Sequence, residues 1–152
     1  MPRTLIHGDF NPRNLAFRRE SSGLRLCAWD WELAELQVPQ RDLAELLAFV
    51  LPADVAPSTV DGLVELHRRE LSHNAGTAID GAEWRRGYHL ALRDFLVTRL
   101  SLYQLVHAFR PCPFLERVLT TARHLIRIEE GEECTRPVLH PVVLRRAVGG
   151  AP

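Results

Sequence analysis

The sequence predicts an α+β domain, with a small β-hairpin region first and a mainly helical part after it. Three observations carry that expectation. Short apolar runs, Leu5-Ile6, Leu15-Ala16-Phe17 and Leu24 to Trp29, crowd residues 3 to 29 and are parted by the turn formers Gly8, Pro12 and Ser21-Ser22-Gly23. From Arg41 onward, apolar residues recur at three- and four-residue steps, the helical period. Breaks at Pro52 to Pro57, Asn74-Ala75-Gly76 and Arg110 to Pro113 cut that helical part into segments.

A first strand ends at Ile6, and His7-Gly8-Asp9-Phe10-Asn11-Pro12-Arg13-Asn14 follows as a tight turn shaped by Gly8 and Pro12. Two further strands joined at Ser21-Ser22-Gly23 bring Asn14 and Asp30 to the same end of a small sheet. Glu32 to Gln40 is expected as a loop carrying Pro39. A helix from about Arg41 to Val50 turns Leu43, Leu46, Leu47 and Val50 inward, and Asp42 suits its positive N-terminus. Ser58 with Asp61 predicts the N-terminal cap of a helix over about Thr59 to His73, which buries Val60, Leu63, Val64, Leu66 and Leu71. Asp80 with Glu83 repeats the capping pattern and opens the longest helix, near Gly81 to Ala108, whose stripe runs from Tyr88 through Phe95 and Leu100 to Tyr103 and Val106. A last helix, about Phe114 to Glu129, buries Leu115, Val118, Leu119, Ala122, Leu125 and Ile126.

At 152 residues and 46% hydrophobic content, the chain is one domain with room for a real core. Its formal charge is zero, so no global field draws it to nucleic acid or to a membrane. Every basic residue is Arg, and the Arg-Arg pairs do not interleave with aromatics as a nucleic-acid platform would, so no nucleic-acid partner is expected. The longest apolar run, Leu46 to Leu51, stops at Pro52, far short of a bilayer span, and no secretory leader is expected. Cys27, Cys112 and Cys134 lack a paired spacing and read as reduced thiols of a cytoplasmic protein, with Cys27 buried in its strand. His67, His73, His89, His107, His124 and His140 show no metal-site spacing, and His107 and His124 read as surface or half-buried helix residues.

A carboxylate and a carboxamide five positions apart on a loop between strands can aim one group at a nucleophile and the other at a metal. Asp9 and Asn14 have that spacing, and Asp30 adds an acidic position between Trp29 and Trp31. On the residues alone, Asp9 also reads as a turn-capping aspartate and Asp30 as a strand-end residue between packed tryptophans. The order His-Gly-Asp, four residues, Asn, then a strand ending in Asp30-Trp31-Glu32, then Arg41-Asp42-Leu43-Ala44, resembles the aminoglycoside phosphotransferase and choline kinase group of the protein-kinase-like superfamily. The resemblance is strong over roughly residues 3 to 50 and rests beyond them on helices alone.

What the resemblance implies is a protein-kinase-like C-terminal lobe over residues 1–135, with the catalytic loop and metal site in 5–42 and a helical subdomain in 41–130, while the tail at 136–152, rich in Pro, Arg and Gly, reads from its composition as loosely ordered. It implies transfer of the ATP γ-phosphate to a hydroxyl of a small metabolite or an aminoglycoside-like acceptor. Asp9 would be the base, Asn14 and Asp30 the magnesium ligands, and His7 and Asp42 the structural supports of the loop. Hard oxygen ligands suit magnesium, and phosphoryl transfer needs positioning and charge stabilisation more than covalent chemistry. Glu32 either faces an acceptor or ends a loop.

Kinases of this superfamily also place a Lys and a phosphate-covering loop in a lobe N-terminal to the catalytic loop. Lys is absent here and only Met1 to Thr4 precede the catalytic strand, so a missing N-terminal lobe or a partner chain is expected. The alternative is a truncated, non-catalytic lobe that acts as a binding module and exposes an apolar face. A third reading is a magnesium-dependent phosphohydrolase using the same carboxylates on water. Glu129, Glu130, Glu132 and Glu133 either attract a cationic acceptor or form a solvated surface. The acceptor itself is not legible, because such pockets come from helices and loops that vary with substrate.

Overall fold

Residues 2–131 are described in a computed structural model of the chain. The expected tail at 136–152, Cys134, His140 and two members of the acidic run, Glu132 and Glu133, lie outside the described residues. The architecture is mixed helix and small sheet, as an α+β class requires. Its strands are β1 (Thr4–Ile6), β2 (Leu15–Glu20), β3 (Gly23–Ala28) and β4 (Glu35–Gln37). Its helices are α1 (Gln40–Val50), α2 (Pro57–Ala75), α3 (Gly81–Phe95), α4 (Ser101–Phe109) and α5 (Leu115–Glu130). Among the described residues no helix is long and apolar enough to cross a membrane.

β2 and β3 pair antiparallel from Leu15↔Ala28 to Glu20↔Gly23, so the Ser21-Ser22 turn closes a regular hairpin. This hairpin buries little: Phe17 and Leu24 are more than two-thirds exposed. A two-stranded ribbon is marginal alone in water. Its base is tied to the rest of the fold by Trp29 N–H donating to the Asn14 carbonyl at 3.1 Å and by the His7 ring bonding the Trp29 carbonyl at 2.7 Å.

The segment expected as a loop from Glu32 to Gln40 contains structure. Trp31–Leu33 form a 3-10 turn, and β4 pairs antiparallel with β1, Thr4 facing Gln37 and Ile6 facing Glu35. Three residues are too few to show a two-residue alternation, which is why β4 left no pattern to read. Pro12–Asn14 likewise form one 3-10 turn inside the loop expected to be free of helix.

The core lies between α1, α3 and α5. Ala44 and Leu47 of α1, Tyr88 and Leu92 of α3, and Val118 and Leu125 of α5 are all at least 97% buried. Several expected core positions differ. Phe49 is buried where Val50 was expected, and Leu66 and Val106 are exposed. Cys27 is only half-buried, because the hairpin carrying it stands away from the core. His124 is buried rather than on the surface, with its Nε2 on the Val55 carbonyl at 2.8 Å.

The helix caps divide. Asp80 caps α3 as expected, its carboxylate accepting from Glu83 N–H at 2.7 Å. Ser58 does not cap α2: Ala56 is the cap residue, and Pro57 occupies the first helical position, where its missing N–H costs nothing. The long helix expected over 81–108 runs through Leu96–Leu100 as a π-helical segment between α3 and α4. The buried positions Tyr88, Leu92, Phe95 and Leu100 record it, because the last step spans five residues.

Candidate active site

The loop from His7 to Asn14 is built around short-range bonds that its own sequence supplies. Asp42, in the first turn of α1, accepts His7 N–H at 2.6 Å on one oxygen and Gly8 N–H at 3.0 Å on the other. Burial pushes the Asp42 carboxyl above its ordinary range, while those two N–H groups pull it back. Gly8 has φ +79°, and a Cβ there would run into the Leu33 carbonyl, so this position takes only glycine. His7 is buried, receives Asp9 N–H on Nδ1 at 3.3 Å and reaches the Trp29 carbonyl from Nε2. That pair of bonds fits the neutral ring with its proton on Nε2.

Asp9 and Asn14 come together. Asn14 Nδ2 donates to Asp9 Oδ2 at 2.7 Å and to the Asp9 carbonyl at 2.9 Å, while Asn14 Oδ1 makes no hydrogen bond among the described residues. Asp9 Oδ1 is crowded: Asn11 Nδ2 donates to it at 3.0 Å, the Tyr103 hydroxyl at 3.4 Å, and the Arg99 guanidinium as an ion pair. Asp30 stands next to Trp29, whose backbone N–H binds Asn14, so the hairpin register sets Asp30 and Asn14 at the same end of β2 and β3. Asp30 is exposed and is the one non-glycine among the described residues with positive φ, 63°. A left-handed aspartate costs roughly 1 kcal/mol, a strain that tends to gather where the backbone must aim a functional group.

Four further residues close the site and were not expected from sequence. Asn11 is fully buried and its Nδ2 also reaches Glu45 Oε1 at 3.2 Å, while its Oδ1 accepts from Arg13. Glu45 is 4% exposed, and Arg99 lies 3.7 Å from its Oε1. Burial lifts the Glu45 carboxyl to about 7, with Arg99 opposing that rise and Asp9 adding to it. Arg99 keeps its charge against burial because Glu45, Tyr103 and Asp9 surround it. A sequence signal for them existed: Asp42 and Glu45 are three apart on α1, and Arg99 and Tyr103 are four apart, so each pair shares a helix face.

Beside Gly8 and Asp42 opens a cleft of about 390 Å³. Its wall carries Glu32, Glu35, Glu45 and Asp94 against two arginines, Arg41 and Arg99. Arg41 is already paired with Asp94 at 3.0 Å. The two described members of the acidic run, Glu129 and Glu130, lie elsewhere and do another job. Glu129 is almost fully buried against Arg85 at 2.7 Å, and Glu130 pairs with Arg93, so both tie α5 to α3. Neither expected role, acceptor attraction or a solvated surface, describes Glu129.

The donor set fits magnesium. Asn14 Oδ1 and the Asp30 carboxylate are hard oxygen ligands without protein partners among the described residues, and magnesium completes its shell with water and substrate phosphates. No group of three or more His, Cys, Asp or Glu among the described residues could hold an ion by itself, which disfavours an all-protein zinc cage.

A profile of the phosphotransferase enzyme family, APH, matches residues 1–78. The chain belongs to the phosphotransferase enzyme family. The matched residues hold the loop, the hairpin, α1 and α2, and the membership agrees with the aminoglycoside phosphotransferase and choline kinase resemblance carried by His7 to Asn14 and Asp30. Arg99 and Tyr103 lie beyond the match. No curated protein and no solved structure matches the chain significantly.

Proposed function

We propose that this phosphotransferase-family chain is the C-terminal, acceptor-side lobe of a small-molecule kinase that transfers the γ-phosphate of ATP to a hydroxyl of an amine-bearing acceptor. The observation that carries the reading is the division of labour between Asp9 and Asn14. One amide group clamps the carboxylate by its nitrogen and keeps its oxygen for a cation, while Asp9 Oδ2 retains a lone pair for a hydroxyl proton.

In this reading Asp9 Oδ2 accepts the proton of the acceptor hydroxyl as that oxygen bonds to the γ-phosphorus and the bridging oxygen departs with ADP. Asn14 and Asp30 are the residues that would hold magnesium, whose charge, when bound, neutralises the nucleotide phosphates. Asp42 and His7 keep the loop in shape through backbone bonds, so Asp9 needs no rearrangement to act. Glu32 and Glu35, which line the 390 Å³ cleft without an ion pair among the described residues, support a cationic acceptor of metabolite size.

The test is magnesium-dependent transfer of labelled γ-phosphate from ATP to a panel of amino sugars and amino alcohols. Transfer to at least one, lost when the amine is acetylated, is the expected result. Asp30→Asn should raise the magnesium concentration needed for half-maximal rate by about tenfold or more. Phosphate release from ATP with no acceptor dependence, or an unchanged magnesium requirement in Asp30→Asn, would count against the reading.

A further inference from the structure

We propose that Arg99, backed by Glu45, is a positioning residue for Asp9: it ties down one oxygen of that carboxylate and so leaves the other turned toward the acceptor. The proposal rests on the phosphotransferase reading and adds to it a residue outside the span that the family profile matches.

The partners of Asp9 are unequal. Oδ1 receives Arg99, Asn11 and Tyr103, which exceeds the lone pairs it can offer, whereas Oδ2 receives Asn14 alone. Only Oδ2 has room for an incoming hydroxyl. Arg99 is itself pinned from three sides, by Asp9, by Glu45 and by the Tyr103 ring, whose centroid lies 5.7 Å from the guanidinium carbon. Its Nε is buried with no partner among the described residues, and both carboxylates are met by one nitrogen, Nη2.

Local structure explains how a residue 90 positions from Asp9 arrives there. Arg99 belongs to the π-helical segment Leu96–Leu100, and the wider turn brings both Arg99 and Tyr103 onto Asp9 Oδ1. Such turns inserted in α-helices recur at functional sites. Glu45 completes the device. Asn11 Nδ2 bonds both Asp9 and Glu45, so the two carboxylates are linked once through an amide and once through the guanidinium. Without the guanidinium, the two part-buried carboxyl groups share a single amide, only Arg13 at 4.0 Å still offers Asp9 Oδ1 a positive charge, and Asp9 is less firmly held about its last torsion. Lysine in this place restores a point charge but not the planar group that lies over the Tyr103 ring and fixes where that charge sits.

The experiment compares Arg99→Gln and Arg99→Lys with the parent chain in two measurements. The first needs no substrate and follows the side-chain amide signals of Asn11 and Asn14 in the ¹⁵N–¹H spectrum. Arg99→Gln should move both while the backbone spectrum stays native. If neither moves, Arg99 does not hold Asp9 and the proposal is overturned. The second is steady-state transfer, where Arg99→Gln should lower kcat by about thirtyfold or more with KM for ATP within about threefold, and millimolar guanidinium should restore part of the loss. A loss with no guanidinium rescue and a proportional rise in KM would make Arg99 a merely structural residue. Should Arg99→Gln not fold, Arg99→Lys carries the test, with kcat expected to fall by at least about fivefold and full activity overturning the proposal. Absence of transfer when the chain is assayed together with a nucleotide-binding lobe or partner chain defeats the phosphotransferase reading instead, because the amide signals still report whether Arg99 holds Asp9.

Discussion

Glu45 sits in the wall of the candidate site with its carboxyl lifted to about 7 by burial, against an ordinary value of 4.5. The folded chain therefore keeps a proton that the unfolded chain releases between those two values. Stability gained by holding it is full below pH 4.5 and is lost as pH rises through 7. Glu45→Gln, which is neutral throughout, should be more stable than the parent at pH 8 by on the order of 1–2 kcal/mol and no more stable at pH 4. Urea midpoints at the two pH values check this, and equal differences at both would remove Glu45 from the pH response. Sequence reading reached Asp9, Asn14 and Asp42 because their partners sit in a short, recognisable order. It passed over Glu45 and Arg99 because a charged residue within a helical pattern is ordinarily solvated, and the shared-face spacings Asp42–Glu45 and Arg99–Tyr103 do not by themselves mark the exception.

Helix boundaries show which signals an element carries in its own residues. The Asp80 cap was legible because its acceptor and the Glu83 donor lie three apart, a spacing fixed by the helix itself. Asp80→Ala should cost about 1 kcal/mol, visible as a lower thermal midpoint. Ser58→Ala should leave the midpoint unchanged, because Pro57 already starts α2 and the Ser58 side chain caps nothing. A loss for Ser58→Ala equal to that for Asp80→Ala would show the cap assignment of α2 to be wrong. The β4 strand and the π-helical segment were less legible for opposite reasons. β4 is held by pairing with β1 across thirty residues of sequence, a contact without a local trace. The π-helical segment does leave one, the five-residue step from Phe95 to Leu100, which is lost when an apolar stripe is read at steps of three and four.

At the scale of the whole molecule, the candidate site is a junction. The loop, the hairpin and α1 supply Asp9, Asn14, Asp30 and Asp42 from within the family-matched residues, and the long helix supplies Arg99 and Tyr103 from beyond them. The order of motifs disclosed the first half, because that half is compact in sequence. The second half depends on how α3 and α4 pack over α1, which no single segment encodes. What unites the halves is one carboxylate: in the proposed reaction Asp9 takes the proton of the acceptor while the cation and the nucleotide are held by other groups. The most direct measurement is Asp9→Asn in steady-state transfer, with ATP affinity measured on the same sample by calorimetry in magnesium. The expected result is a kcat reduced by about a hundredfold to ten-thousandfold with nucleotide affinity within about threefold of the parent. Full turnover in Asp9→Asn, or a loss explained wholly by weaker nucleotide binding, would contradict it.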